Sequence, residues 1–256
     1  MSDVLLHGVP APHLFEAPSG WLARLALAQG CSLNELLRFL DLPRDADHDL
    51  QLQGPLMVKL RGKCSLPVEA FAIADRVMVG LVRSGLEAED ALLRDEQGGP
   101  RFRYCPLCLK QRGAGHFEIH WRFTDWRYCP IHKCLMEERC WNCEAPLLYP
   151  RDIAGSVAGR EGHASQRRCL ACSVDLAAAK PCLVDPSSSK VLMEYEAFWL
   201  HNGRALLAAL SHGYARMHRG TMELEDIGAR AYQAWLPTPF QWAKVERRIR
   251  SSRTSL

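Results

Sequence analysis

Eight cysteine and histidine residues in the middle of the chain form four pairs, each with two residues between its members. The pairs are Cys105 and Cys108, Cys129 and His132, Cys140 and Cys143, and Cys169 and Cys172. A pair of this kind places two donors on one tight turn, so two pairs supply the four tetrahedral ligands of a zinc ion. Four pairs therefore predict two zinc ions per chain. Because protein would fill every coordination position, the predicted sites are structural rather than catalytic.

The sequence leaves open how the four pairs combine. Separations of 20, 7 and 25 residues between successive pairs favour sequential use, which gives a site of three cysteines and one histidine and then a site of four cysteines. A cross-braced order, in which the first pair joins the third, is the alternative, and Cys134 could replace His132 as a ligand. Buried thiols or disulfides would explain one isolated pair, but four pairs within 68 residues favour metal binding.

The composition is that of a globular protein from a reducing compartment. Of the 256 residues, 48% are hydrophobic and 24% are charged, which is typical of folded domains rather than disordered chains. The N-terminus has no basic segment ahead of an apolar run, and no stretch reaches the ~18 uninterrupted apolar residues of a membrane span. We therefore expect a cytoplasmic protein without a membrane segment, in which thiols stay reduced and can bind metal.

Positive charge is concentrated in two segments of the chain. The net charge of +3 includes −5 for residues 1–100, +5 for 101–135 and +4 for 186–256. A polyanion such as DNA would bind the two basic segments, although a solvated helix end is the simpler explanation of the basic tail. The candidate nucleic-acid contacts are Asn34, Arg38, Arg122, Arg127, Lys244, Arg247, Arg248 and Arg250.

Two short helices joined by a glycine turn are predicted near the start of the chain. Ser19 can cap the first helix, and Ser32 with Glu35 forms a capping box for the second. Their spacing resembles a helix-turn-helix. The expected core positions are Leu25, Leu36 and Phe39. In the second helix, Asn34 and Arg38 are the main side chains that could contact bases in a DNA groove. We therefore favour a protein interface as the use of this unit.

The predicted fold class is mainly α with small zinc-stabilised β elements, in three domains. These are an N-terminal helical domain with the helix-turn-helix (residues 1–98), a double zinc-binding module (99–185) and a C-terminal helical region with the basic tail (186–256). Further helices are predicted over residues 67–83, 86–95 and 222–236 and in the segment after residue 190. Between the first two metal pairs, alternating apolar residues from Phe117 to Phe123 predict a β-hairpin that delivers the second pair.

An ordered run of motifs covers roughly residues 14–172. It comprises SGWLARLALAQGCSLNELLRFL near the start, Tyr104-Cys105-Pro106-x-Cys108, Trp121, Cys129-x2-His132, Leu135 and Cys140-x2-Cys143. This order resembles that of the TniQ family of DNA transposition proteins, to which the target-selecting TnsD proteins also belong. The family often has proline inside the third pair, where this chain has Trp141 and Asn142. The resemblance therefore supports the first zinc site more directly than the second.

The resemblance implies a non-enzymatic targeting adaptor. Such proteins contact the transposon's AAA+ ATPase, TnsC, on one side and, on the other, either a DNA attachment site or an RNA-guided CRISPR effector with its RNA. The chain has 84 residues after its last pair, fewer than the DNA-reading TnsD-like members carry, which favours an adaptor for another recognition complex. Whether the protein forms a homodimer through its two predicted N-terminal helices is open.

Two other functions fit parts of the sequence. A zinc deaminase is the enzymatic alternative, because His116-Phe117-Glu118 and the third pair match its two elements, but Arg139 stands where that motif has proline. The other is a sequence-specific DNA-binding target-site reader or transcription regulator, which would use the helix-turn-helix and the zinc modules without a transposition partner. No phosphate-binding glycine loop, serine elbow or carboxylate pair in the sequence favours another enzyme.

Overall fold

The computed structural model describes residues 5–83, 92–112, 115–124, 126–154 and 164–185, parts of 187–200, and the backbone of 214–217 and 220–223. The helices are α1 (Pro18–Ala28), α2 (Leu33–Leu40), α3 (His48–Gln51), α4 (Pro55–Lys63), α5 (Ala72–Arg83) and α6 (Pro106–Gln111). Two 3₁₀ helices cover Ile119–Arg122 and Leu176–Ala178. The strands are β1 (Arg101–Phe102), β2 (Tyr128–Cys129), β3 (Cys134–Leu135), β4 (Leu147–Leu148), β5 (Tyr214–Met217) and β6 (Gly220–Glu223). They pair antiparallel, β1 with β4, β2 with β3 and β5 with β6.

The first helix starts one residue before its predicted cap. α1 begins at Pro18, whose fixed φ suits the first helical turn, and Ala17 is the N-cap residue. Ser19 therefore lies inside the helix, and its hydroxyl donates to Asp49 Oδ2 at 2.8 Å instead of capping. The prediction of Ser19 as the cap is wrong. The helix is followed, as expected, by Gly30, whose φ of +63° is the left-handed conformation that glycine adopts at helix ends.

The second helix has the predicted capping box. The Glu35 N–H donates to Ser32 Oγ at 3.3 Å, and the Ser32 N–H donates to Glu35 Oε2 at 2.8 Å. α2 packs against α1. It buries four leucines, Leu33, Leu36, Leu37 and Leu40. Phe39 is 36% exposed, so its assignment to the core is wrong, and the identity of this helix pair as a helix-turn-helix stays a prediction.

The helix predicted over residues 67–83 begins five residues later, at Ala72. Phe71 has a φ of +60°, a left-handed conformation that cannot continue into a right-handed helix. Val68, predicted on the apolar face, is 81% exposed. Most of the helix predicted over 86–95 lies outside the described residues. Its last part, residues 92–95, is extended and forms bridges to Phe123 and Pro100.

The hairpin predicted between the first two metal pairs is wrong in position. Residues Ile119–Arg122 form a 3₁₀ helix instead of a strand. Phe117 and Trp121 both pack in the core, edge to face with ring centroids 5.8 Å apart. All four residues of the 3₁₀ helix are buried, whereas the predicted strand would have buried one face only. The hairpin lies further along the chain, where β2 pairs with β3, and its turn carries His132.

The C-terminal region is described in part. The described residues between 190 and 200 are helical, in agreement with the prediction. The helix predicted over 222–236 is wrong at its start, because Met222 and Glu223 belong to β6, where pairing with β5 satisfies their backbone groups. The remainder of that helix lies outside the described residues, as does the basic tail with Lys244, Arg247, Arg248 and Arg250.

One continuous core joins the helices α1 to α5, called the front helices here, to residues 101–185, called the cysteine-rich segment. The buried apolar side chains of this core come from both parts. Backbone hydrogen bonds also cross between them: the Ala17 N–H donates to Phe117 O at 2.9 Å, and the Ile119 N–H donates to Phe15 O at 2.8 Å. The boundary predicted at residue 98 falls in a turn where Asp95 accepts the Gly99 N–H. The division into domains stays a prediction, and the two segments share their core.

The described residues contain helices, small strands and two clusters of cysteine and histidine, as predicted. Among the helices within the described ranges, none is both long and apolar enough to cross a membrane.

Candidate metal centres

The first cluster joins the pair Cys105 and Cys108 to the pair Cys129 and His132. Cys105 is the N-cap residue of α6 and Cys108 lies in its first turn, while the other pair occupies the end of β2 and the turn after it. His132 Nδ1 lies 3.5 Å from Cys105 Sγ, 3.3 Å from Cys108 Sγ and 3.5 Å from Cys129 Sγ. One nitrogen thus faces three sulfurs, as the corners of one small tetrahedron.

The second cluster contains the four cysteines of the third and fourth pairs. Cys140 Sγ lies 3.7 Å from Cys172 Sγ, and Cys143 Sγ lies 3.6 Å from Cys169 Sγ. Within each cluster, the four donor atoms all lie within 4.8 Å of one another. The structure therefore brings the pairs together in sequential order and not in the cross-braced order.

Three of the four pairs share one backbone turn. In each, the residue four positions after the first cysteine donates its N–H to the carbonyl of that cysteine, at 2.8 to 3.0 Å. It also adopts a left-handed φ between 51° and 60°. These residues are Lys133, Glu144 and Ser173. The turn directs a further N–H to sulfur, as from His132 to Cys129 Sγ at 3.5 Å, and such donors stabilise a thiolate.

The distances in the second cluster fit a tetrahedral metal ion. With zinc–sulfur bonds of about 2.3 Å, a regular tetrahedron has sulfur–sulfur edges of about 3.8 Å. The observed 3.6 and 3.7 Å are close to this value. Both clusters could hold a metal ion, and their donor sets, three cysteines with one histidine and four cysteines, are those of structural zinc sites.

Hydrogen bonds favour ionised sulfur at one or more cysteines of each cluster, whereas the pKa of Cys108, Cys140 and Cys169 is raised by burial and neighbouring thiols. Bonds from the neighbouring Cys105 and Cys108 thiols hold the pKa of Cys129 well below its usual range. In the second cluster, burial opposes ionisation of Cys172, but hydrogen bonds from the Val174 N–H and other neighbours lower its pKa to about 6. Since the thiolate is the form that binds metal, each cluster contains a cysteine whose surroundings favour the binding form.

The residues inside the third pair fit the second cluster without proline. Trp141 Nε1 donates to the Asp175 carbonyl at 3.0 Å, and Asn142 Nδ2 donates to Cys172 Sγ at 3.6 Å. Both side chains therefore link the turn of the third pair to that of the fourth. The departure from the proline pattern is compatible with the cluster.

The candidate nucleic-acid contacts differ in their exposure to solvent. Arg122 is fully buried, and its Nη1 lies 2.6 Å from Asp47 Oδ1 and 2.8 Å from Asp49 Oδ2. A guanidinium that neutralises two carboxylates inside the core cannot reach a phosphate, so the prediction that Arg122 contacts nucleic acid is wrong. Of the other described candidates, Asn34 and Arg38 are exposed and Arg127 is half-buried.

The histidine and glutamate of the deaminase alternative do not join the third pair, whose cluster is completed by the fourth. Glu118 is buried and pairs with Arg112 and with His120 Nε2, the latter at 2.8 Å. His116 stacks on His13 with ring centroids 4.1 Å apart, and burial lowers the pKa of His116 to about 3. This arrangement contradicts the deaminase ligand set.

Sequence reasoning missed the acids that hold the two parts of the core together. Asp47 and Asp49 lie 75 and 73 residues from Arg122 in the chain, and no local pattern links positions that far apart. Asp152 was missed as well, although its Oδ1 accepts the Leu33 N–H at 2.5 Å from 119 residues away. The free N–H groups at a helix start signal that an acceptor is needed, but not which residue supplies it.

The fold and the clusters together define a class of protein, a helical chain built around two four-donor clusters in which protein supplies every donor. One cluster has three cysteines and one histidine, and the other has four cysteines. Within this class, the TniQ family model matches residues 8–136, half of the chain, and the chain belongs to the TniQ family. Proteins of this family act in transposition, in complexes with DNA and other transposon proteins. No curated protein matches the chain.

Proposed function

We propose that this protein is a non-enzymatic targeting adaptor of DNA transposition, which links target recognition to the transposon's AAA+ ATPase, TnsC. The observation that carries the proposal is the family match, which spans the front helices and the first cluster within one packed core. On its other side the adaptor contacts a target-recognition complex, such as an RNA-guided CRISPR effector with its RNA, or the target DNA itself.

Two zinc ions stabilise the middle of the adaptor. Their ligands are Cys105, Cys108, Cys129 and His132 at the first site and Cys140, Cys143, Cys169 and Cys172 at the second. Zinc supplies strong bonds in a segment whose strands are two residues long, so metal binding and folding are coupled there. Because no coordination position is open to a substrate, the sites support a structural role and not catalysis.

The pairing of arginines inside the protein supports a protein partner over free DNA. Residues 101–135 carry a net charge of +5, but three of their arginines are paired with acidic side chains. The pairs are Arg103 with Glu138, Arg112 with Glu118, and Arg122 with Asp47 and Asp49. A surface that binds DNA through phosphates needs unpaired cations. Three of the seven lysine and arginine residues in this segment are thus neutralised within the fold.

The exposed face of α2 also supports a protein partner over free DNA. It presents Asn34, Arg38 and the partly exposed ring of Phe39, a mixture of polar and aromatic groups that suits a protein interface. Direct DNA reading by α2, as the recognition helix of a helix-turn-helix, is the second candidate function. The exposure of Asn34 and Arg38 favours it, since amide and guanidinium groups read bases in the major groove.

Association with the ATPase tests the adaptor role. The zinc-loaded protein and the TnsC-like ATPase of the same element are mixed with ATP, a non-hydrolysable analogue or ADP and separated by size exclusion. We expect co-elution that depends on the nucleotide and disappears for the metal-stripped protein. A folded, zinc-loaded protein that elutes alone under every nucleotide condition would overturn the proposal.

A further inference from the structure

A ninth metal donor lies against the first cluster. Cys134 is the first residue of β3 and is paired with Cys129 across the hairpin. Its side chain is fully buried, and its Sγ lies 3.5 Å from Cys105 Sγ. The same distance separates Cys105 Sγ from His132 Nδ1. The first site therefore has four donors within 4.8 Å of one another and a fifth donor, Cys134, beside Cys105, whereas a tetrahedral ion takes four ligands.

His132 is the least firmly held of these five donors. It occupies the turn after β2 and is half-buried, whereas the four cysteines are buried. A ligating histidine is normally fixed by a hydrogen bond from its second ring nitrogen to an acceptor. Within the part of the chain that the structure describes, no group bonds to His132 Nε2. The ring is thus positioned through Nδ1 and not from its other side.

Cys134, in contrast, is fixed on both sides of its strand. β3 pairs with β2, and on the other side Leu135, the next residue, donates its N–H to Cys182 O at 2.9 Å. The strand therefore holds the Cys134 thiol beside the cluster even if the preceding turn, residues 130–133, changes its conformation. That turn exposes Ile131, at 55%, and is the part of the first site that a partner can reach.

We propose that Cys134 is an alternate ligand of the first metal site, which replaces His132 and converts a set of three cysteines and one histidine into a set of four cysteines. In the exchange one metal–nitrogen bond breaks and one metal–sulfur bond forms. The thiol proton of Cys134 passes to the released imidazole, and no electrons are transferred. The inference rests on the proposed metal sites, and it lets the turn of residues 130–133 move while the ion stays bound.

Zinc content after dialysis against a chelator tests the exchange. The reduced full-length protein is compared with His132→Ala, Cys134→Ser and the double variant. Cys172→Ser is the matched control, because it removes one donor from the second cluster. We expect two zinc ions per chain in the wild type and in both single variants of the first site, and one in the double variant and the control.

Two outcomes would overturn this inference in different ways. If His132→Ala keeps one zinc ion, as the control does, Cys134 is not an alternate ligand, while the metal sites stand. If the reduced wild type binds no zinc, the proposed metal sites fail and the inference fails with them.

Cadmium-113 NMR identifies the donors directly. The cadmium-loaded wild type should give two resonances, one for three sulfurs with one nitrogen and one for four sulfurs. In His132→Ala the first resonance should move to the region of the second, because sulfur has replaced nitrogen. A resonance that disappears, or that keeps the position of a three-sulfur site, would contradict the assignment.

Discussion

The guanidinium of Arg122 and the carboxylate of Asp49 form a fully buried ion pair, with Nη1 2.8 Å from Oδ2 and neither side chain exposed. Asp47 accepts hydrogen bonds from both terminal nitrogens of the same arginine, at 2.6 and 2.8 Å. Asp49 also accepts from the Ser19 N–H and hydroxyl. The network ties the front helices to the cysteine-rich segment.

Replacement of Arg122 by methionine should strongly destabilise the protein. The change keeps the length of the side chain but leaves Asp47 and Asp49 buried without their cation, which typically costs about 3–5 kcal/mol. Denaturant unfolding followed by tryptophan fluorescence measures the loss. Arg38→Met is the control, because exposed substitutions usually change stability by about 0.5 kcal/mol or less. Equal unfolding midpoints for the two variants would show that the network adds no stability.

The buried ring of His116 should make stability depend on pH. Burial lowers its pKa to about 3 in the folded protein, whereas an unfolded histidine titrates near about 6.5. Between these values the unfolded chain binds the extra proton. The contribution of His116 to stability is therefore complete above about pH 6.5 and falls as the pH decreases toward about 3.

The variant His116→Asn should weaken this pH dependence. Between about pH 7.5 and 5.5 the wild type should lose about 1 kcal/mol more than the variant. Denaturant unfolding at each pH gives the difference, and His7→Asn, at an exposed position, serves as the control. The same pH dependence in wild type and His116→Asn would contradict the burial argument.

Trp141 should hold the second cluster closed. Its indole donates to the Asp175 carbonyl, a contact that links the two cysteine turns, and loss of such supporting contacts typically weakens metal binding about 10–100-fold. Trp141→Ala should therefore release one zinc ion faster to a chromogenic chelator. Ile131→Ala, an exposed apolar change in a turn of the first cluster, is the control. Equal release rates would mean that the indole does not support the site.

Removal of metal should unfold the cysteine-rich segment. Its strands are too short to persist alone, and structural zinc supplies folding free energy directly. A chelator should abolish the near-ultraviolet circular dichroism of the buried aromatic residues, and added zinc should restore it. A native spectrum in metal-free, reduced protein would contradict structural metal sites.

Two short-range signals in the sequence, the capping box and the cysteine pairs, predicted the structure correctly. The capping box of Ser32 and Glu35 gave the start of α2 because its partners are three residues apart. Each cysteine pair was recognisable for the same reason, since one tight turn determines where both donors lie. The order in which the pairs combine followed from chain separations, and the two clusters have that order.

The sequence did not predict side-chain partners that lie far apart in the chain, nor the secondary structure of residues 117–123. Arg122 looked like a surface cation because its acidic partners lie more than seventy residues away. Alternating apolar residues from Phe117 to Phe123 fitted a strand, but residues 119–122 form a 3₁₀ helix in which Ile119 and Trp121 are both buried. A left-handed Phe71 could not be inferred either, since nothing in its neighbourhood requires that conformation.

Whether the adaptor depends on a partner for target recognition is tested most directly by the DNA binding of the purified, zinc-loaded protein alone. Its affinity is measured for the insertion site of its element and for a scrambled duplex of the same length, over a range of salt concentrations. A protein that depends on a partner for recognition should bind both duplexes weakly and equally, with affinity that falls steeply as salt rises. Selective binding to the insertion site near physiological salt would contradict recognition through a partner complex and show that the chain reads its own target.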